Sequence, residues 1–134
     1  MDIKKNKGIN IGLWVVQALL AVMFIMAGVM KASQPIEILA ESLPWVTSTS
    51  TVLVRFIGIS ELLGGLGLLI PSIFRFKPFL TVWAAVGLAV IMVFAAIFHA
   101  TRSEFSGIFT NLIIMTFALF IAWGRSKKAP IIAK

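Results

Sequence analysis

The 134-residue chain has no cysteine, one histidine and five carboxylates. Without thiols, disulfides, zinc-thiolate sites, iron–sulfur clusters and thiol relays are excluded. A haem held between two histidines has no second histidine to use. Charge is scarce as well, at 13% of residues. No Walker loop, GxGxxG turn, HExxH, CxxC or GxSxG constellation is present, so conventional enzyme chemistry lacks its usual residues. What the chain has instead is apolar surface: 60% of residues are hydrophobic and the mean hydropathy is +1.03. A soluble domain of this size has too little interior to hide that much, which points to lipid as the solvent.

Four apolar runs, at about 12–30, 51–70, 79–98 and 107–124, approach the ~20 residues that cross a ~30 Å hydrocarbon core as a helix. Lipid offers no partner to backbone amides, and these runs lack the alternation of barrel strands. The predicted fold is therefore all-α: one membrane domain over 1–134, a transmembrane four-helix bundle. A cleavable leader is the alternative for the first run, but its 19 residues exceed the ~7–15 of a leader core. Between the first two spans, Pro35 and the apolar set Ile36, Leu39, Ala40 and Leu43 predict a short interfacial helix stopped by Pro44, with Glu37 and Glu41 on a solvated face.

The net charge of +7 forms no single patch of the kind that binds nucleic acid. Lys4, Lys5, Lys7, Arg75, Lys77, Arg125, Lys127, Lys128 and Lys134 fall on the terminus side of the four spans, against Lys31 and Arg102 opposite. That asymmetry predicts both termini in the cytoplasm, in a cell membrane. Arg125, Lys127 and Lys128 need no role beyond topology and anionic lipid.

Helical spacing sorts the polar residues into seams. Gln17, Ala21, Phe24, Gly28 and Lys31 share one face of the first span, and Asn111, Met115, Ala118, Ala122 and Arg125 share one face of the fourth. The second span carries Gly58, Ser60, Gly64, Gly65 and Gly67, small residues that let helices approach in lipid. It also carries Arg55 and Glu61, each costing ~2.5–3.5 kcal/mol if turned to lipid at mid-membrane, so both should face inward. The topology gathers Lys31, Arg55, His99 and Asn111 in the outer half above Glu61, a small polar site whose acid has cationic and titratable neighbours. For Glu61 a ligand role and a structural ion pair stand side by side. Lys31 is expected to snorkel to the headgroups, Gln17 and Asn111 to hydrogen-bond between helices, and Arg102 and Glu104 to form a solvated loop pair.

The string RFIGISELLGGLGLLIP from Arg55 to Pro71, with AGVMK at Ala27 to Lys31 and AAIFHA at Ala95 to Ala100, resembles the DoxX-like family of small membrane proteins from about Trp14 to Arg125. The resemblance implies a four-helix membrane domain and points to Lys31, Glu61 and His99 as recurrent polar positions. In much of the wider family the opening helix carries an arginine where this chain has Gln17. Members resemble subunits linked to quinone or thiosulfate oxidation, partners of oxidative-stress enzymes, or receptor-assembly chaperones. The expected function is thus an accessory subunit of a quinone-linked or oxidative-stress-related redox system, more a partner than an independent enzyme, with no covalent cofactor and a quinone as ligand. A non-catalytic scaffold or chaperone is the alternative. The expected partners are the bilayer, a membrane or redox protein, and a second copy of the chain.

Overall fold

The computed structural model describes residues 6–134. Lys4 and Lys5, two of the basic residues that weigh on orientation, lie outside that range. Among the described residues the elements are helical: α1 (Lys7–Ser33), α2 (Ile36–Ser42), a 3-10 turn (Pro44–Ser48), α3 (Thr51–Phe74), α4 (Phe79–Thr101), α5 (Phe105–Trp123) and a π-helical turn (Gly124–Lys128). Helices α1, α3, α4 and α5 are long and apolar enough to cross a membrane.

The first three expected spans each lie within one of these helices and the fourth ends one residue into the π-helical turn, while most of the helices run further. Hydropathy marks only the stretch that lipid accepts, whereas the backbone ladder continues into polar residues such as Lys7 and Ser33. In the second span the helix passes through Pro71 to Phe74 instead of stopping at residue 70. Proline disturbs the carbonyls of the preceding turn, and in membrane helices a neighbour can satisfy them. The carbonyl left without its helical donor is that of Gly67, and one residue on Gln17 of α1 donates from Nε2 to the Leu68 carbonyl at 2.6 Å. The helix finally ends at Arg75, in the left-handed conformation with φ 54°.

Helix α1 lies along α3, α3 along α4 and α4 along α5, and α5 with its π-helical turn returns to α1. The core is built from Leu20, Ala21 and Phe24 of α1, Leu68 of α3, Leu88 and Met92 of α4, and Ala118 and Ile121 of α5. Lipid removes the hydrophobic drive between helices, so close contact must supply the attraction. It is closest where α1 crosses α3: a Cβ built on Gly28 would stand 2.5 Å from the Leu62 nitrogen and 2.6 Å from the Gly58 carbonyl oxygen. Both obstacles are backbone, so only glycine fits. The outward faces carry Leu19, Phe56, Leu63, Phe94 and Phe109, all exposed in the isolated chain and suited to acyl chains.

Helix α2 and the 3-10 turn after Pro44 lie at the end of the bundle away from the termini. Leu39 and Val46 pack on Val54 at the start of α3, forming a second, smaller core. Glu37 and Glu41 are exposed, as a solvated face requires.

Candidate functional site

The predicted polar residues separate into two centres at opposite ends of the bundle. At the end away from the termini, Lys31 Nζ donates to Glu61 Oε1 at 2.7 Å. The glycine crossing makes this geometry: Gly58, three residues before Glu61, rests against the backbone of Lys31 and Ala32, so the lysine leaves α1 directly above the carboxylate. Glu61 is buried, its side chain 4% exposed, and that of Lys31 is 14% exposed. Snorkelling was the expectation for Lys31. The structure corrects it, because the close approach of α1 and α3 gives the ammonium an internal anion at 2.7 Å.

Arg55 does not touch Glu61. Its Nη1 donates to the carbonyls of Lys31 at 3.0 Å and Gln34 at 2.6 Å. Lys31 is in the last turn of α1 and Gln34 is the residue that caps it, where carbonyls have no further helical amide to accept from, so the guanidinium acts as a C-terminal cap. Lys31 Nζ also lies 5.8 Å from the ring centre of Trp45. Trp45 meets Phe98 edge-on at 5.8 Å, and Phe98 meets His99 in the same manner.

His99 stands on the far side of those two aromatic rings, not above Glu61 as the topology alone suggested. Its Nδ1 is 3.0 Å from Glu104 Oε1, which also accepts from Arg102 Nε at 3.0 Å. The loop pair is thus present, with the histidine joined to it. The His99 hydrogen bond, followed by the Arg102 guanidinium, holds the Glu104 carboxyl below its ordinary value of 4.5, although partial desolvation opposes them. An ionised carboxylate only accepts, so the proton of this hydrogen bond sits on Nδ1. Gly107 of α5 packs against the imidazole: a Cβ there would stand 2.8 Å from Cγ. A cleft of about 540 Å³ opens beside the ring, lined by Leu43, Pro44, Trp45, His99, Glu104 and Phe105 among others. Asn111, one turn beyond Gly107, does not make the interhelical bond expected of it. Its Nδ2 is buried without a partner.

The second centre, near the termini, is only half legible in the sequence. Gln17 is fully buried and Arg125 is 3% exposed. Arg125 Nε donates to Gln17 Oε1 at 2.6 Å, and Nη1 donates to Asn10 Oδ1 and to the Ala129 carbonyl, both at 2.7 Å. The guanidinium lies 5.1 Å from the ring centre of Trp14. Gln17 Nε2 also reaches Ser72 Oγ at 3.4 Å, and Ser72 shares a 2.7 Å hydrogen bond with Thr81. Interhelical bonding by Gln17 is therefore as expected, while Arg125 is not merely a topology residue. The signal was the seam Asn111, Met115, Ala118, Ala122, Arg125, whose period already placed the arginine inward. Its acceptors are remote in sequence or in irregular backbone, and no local pattern announces them.

Among the described residues no group of three potential metal ligands occurs. Four apolar helices with lipid-compatible outer faces and ionisable side chains turned inward define a small multi-pass membrane protein. The family model of the DoxX-like family matches residues 15–121, and the chain belongs to that family. No curated protein and no solved structure matches it.

Proposed function

We propose that this DoxX-like protein is an accessory subunit of a quinone-linked or oxidative-stress-related redox system in the cell membrane. In this reading both termini are cytoplasmic and the His99 cleft lies in the outer half of the bundle. The observation that carries it is the His99–Glu104 pair at the mouth of an aromatic-walled cleft. Trp45 and Phe105 offer flat apolar surface to a quinoid ring, and the imidazole Nε2 accepts a hydrogen bond from a quinol hydroxyl. Oxidation of a quinol releases two electrons and two protons. The electrons pass to an acceptor on a partner chain. One proton goes to Nε2, where ionised Glu104 stabilises the imidazolium, and leaves to water before the second follows. Lys31 and Glu61 act at one remove: their ion pair fixes the ammonium beside Trp45 and so holds the cleft wall in place.

Thermal unfolding of the purified chain with and without a soluble quinone analogue tests this reading. Protection is expected for the wild type and for Glu61→Gln, and should be lost in His99→Gln and weakened in Glu104→Gln. Equal protection in His99→Gln refutes the site. Absence of any protection, together with a stable co-purifying membrane protein, would instead favour the scaffold.

A further inference from the structure

We infer that the Arg125 centre is a binding site for the phosphate headgroup of an anionic phospholipid. Burial of a guanidinium ordinarily demands a counter-charge. Arg125 has none among the described residues: Nε and Nη1 donate only to the neutral oxygens of Gln17, Asn10 and Ala129. Its Nη2 is buried with no partner. The third guanidinium nitrogen is enclosed, so a phosphate oxygen reaches it only when the chain around it gives way, and its direction is set by the two nitrogens already bonded. Of the five Asp and Glu side chains, Glu37, Glu41, Glu61 and Glu104 are engaged or exposed elsewhere, and Asp2 lies outside the described residues.

Arg125 and Ser126 line a cavity of about 510 Å³ whose other walls are apolar: Phe79, Val82 and Trp83 of α4, and Ile131 of the segment that follows the π-helical turn. The volume falls within the ~300–1,000 Å³ typical of pockets for small ligands. One wall is a membrane-spanning helix with Trp83 exposed on it, so a ligand seated here has its polar end at the guanidinium and its apolar end along α4. That is the layout of a phospholipid and not of a free anion. The outer wall is light: Lys134 N donates to the Arg75 carbonyl at 2.9 Å and Arg75 Nε to the Ile132 carbonyl at 2.7 Å. These bonds tie Ile132 and Lys134 to Arg75, with Pro130, Ile131 and Ala133 lining the cavity, and entry of a headgroup displaces this segment. Arg75, Lys77, Lys127 and Lys128 surround the same end and attract anionic lipid toward it.

Native mass spectrometry of the full chain released from nanodiscs containing equal phosphatidylglycerol and phosphatidylcholine tests the proposal. Retention of phosphatidylglycerol is expected to exceed that of phosphatidylcholine at least about fivefold, the preference that ~1 kcal/mol of headgroup attraction gives. Arg125→Lys should abolish the preference. Ile131→Trp, which fills the cavity without touching the Arg125 hydrogen bonds, should abolish it as well, and serves if the arginine variant does not fold. Lys127→Gln with Lys128→Gln, and separately Asp2→Asn, should leave it within about twofold. Equal retention of the two lipids, displacement of phosphatidylglycerol by millimolar inorganic phosphate, an unaffected Ile131→Trp, or complete loss in the Lys127/Lys128 double variant would each overturn it.

Discussion

Breaking the Lys31–Glu61 pair from either side separates an internal ion pair from a surface one. At 2.7 Å, with the carboxylate side chain 4% and the ammonium side chain 14% exposed, little solvent screens the interaction. Removing one member of a buried pair costs ~3–5 kcal/mol, because the other charge is left without compensation. The residual exposure of Lys31 puts Lys31→Met toward the low end, at about 3 kcal/mol. Glu61→Gln keeps the shape and an acceptor oxygen for Nζ but leaves the ammonium without its counter-charge, so it should cost about 2 kcal/mol, less than Lys31→Met by the hydrogen bond it retains. Replacing both partners together, as Lys31→Met with Glu61→Leu, removes the uncompensated charge and should recover most of the loss, leaving a coupling of at least about 2 kcal/mol. Reversible unfolding in bicelles, run as a double-mutant cycle, measures it. Single changes that are each below about 0.5 kcal/mol, or that add within that margin, would refute the reasoning.

Gly28→Ala places a methyl carbon against the backbone of α3, so it should destabilise by at least about 1–3 kcal/mol in the same unfolding assay, whereas Gly87→Ala, which meets nothing within 4 Å, should not. Gln17→Leu leaves both Arg125 Nε and the Leu68 carbonyl without their partner and should cost about 1–3 kcal/mol, with a change in the fluorescence of Trp14 beside the guanidinium. The Glu104 carboxyl, held below 4.5, stabilises the loop between α4 and α5 above that pH, and the contribution disappears as acid carries the pH down through the lowered value. Carboxyl NMR should show Glu104 titrating below 4.5 in the wild type and closer to that value in His99→Gln; identical titrations would remove the pair. Cysteine placed at Lys7 should react with impermeant thiol reagents only after the cells are opened, if the basic asymmetry sets orientation.

How far the polar residues could be read in advance depended on how local their constraints are. That Glu61 faces inward follows from the cost of a carboxylate in hydrocarbon, a property of one residue in one solvent. Which cation meets it does not, because Lys31 is long enough to reach either the headgroups or the interior, and the choice rests on how closely Gly28 and Gly58 let two helix backbones cross. His99 was placed at the correct end of the bundle by topology. Yet the side on which it emerges from α4 is fixed by packing against Gly107 and Phe98, and this sets it with Glu104 instead of Glu61. Arg125 shows the same division, since its inward direction was written in a helical period while its acceptors come from residues as distant as Asn10.

The sequence by itself determined the solvent, the number of spans, the faces that turn inward and the family. The first three follow from the free energy of placing one residue type in lipid, repeated at helical spacing, and the family from the resemblance of particular strings. The tertiary structure alone decided the pairings: Lys31 with Glu61, His99 with Glu104, and Arg125 with Gln17 and Asn10. Those depend on ångström-scale distances between helices, and such distances arise only when backbones, glycines and side chains are packed together.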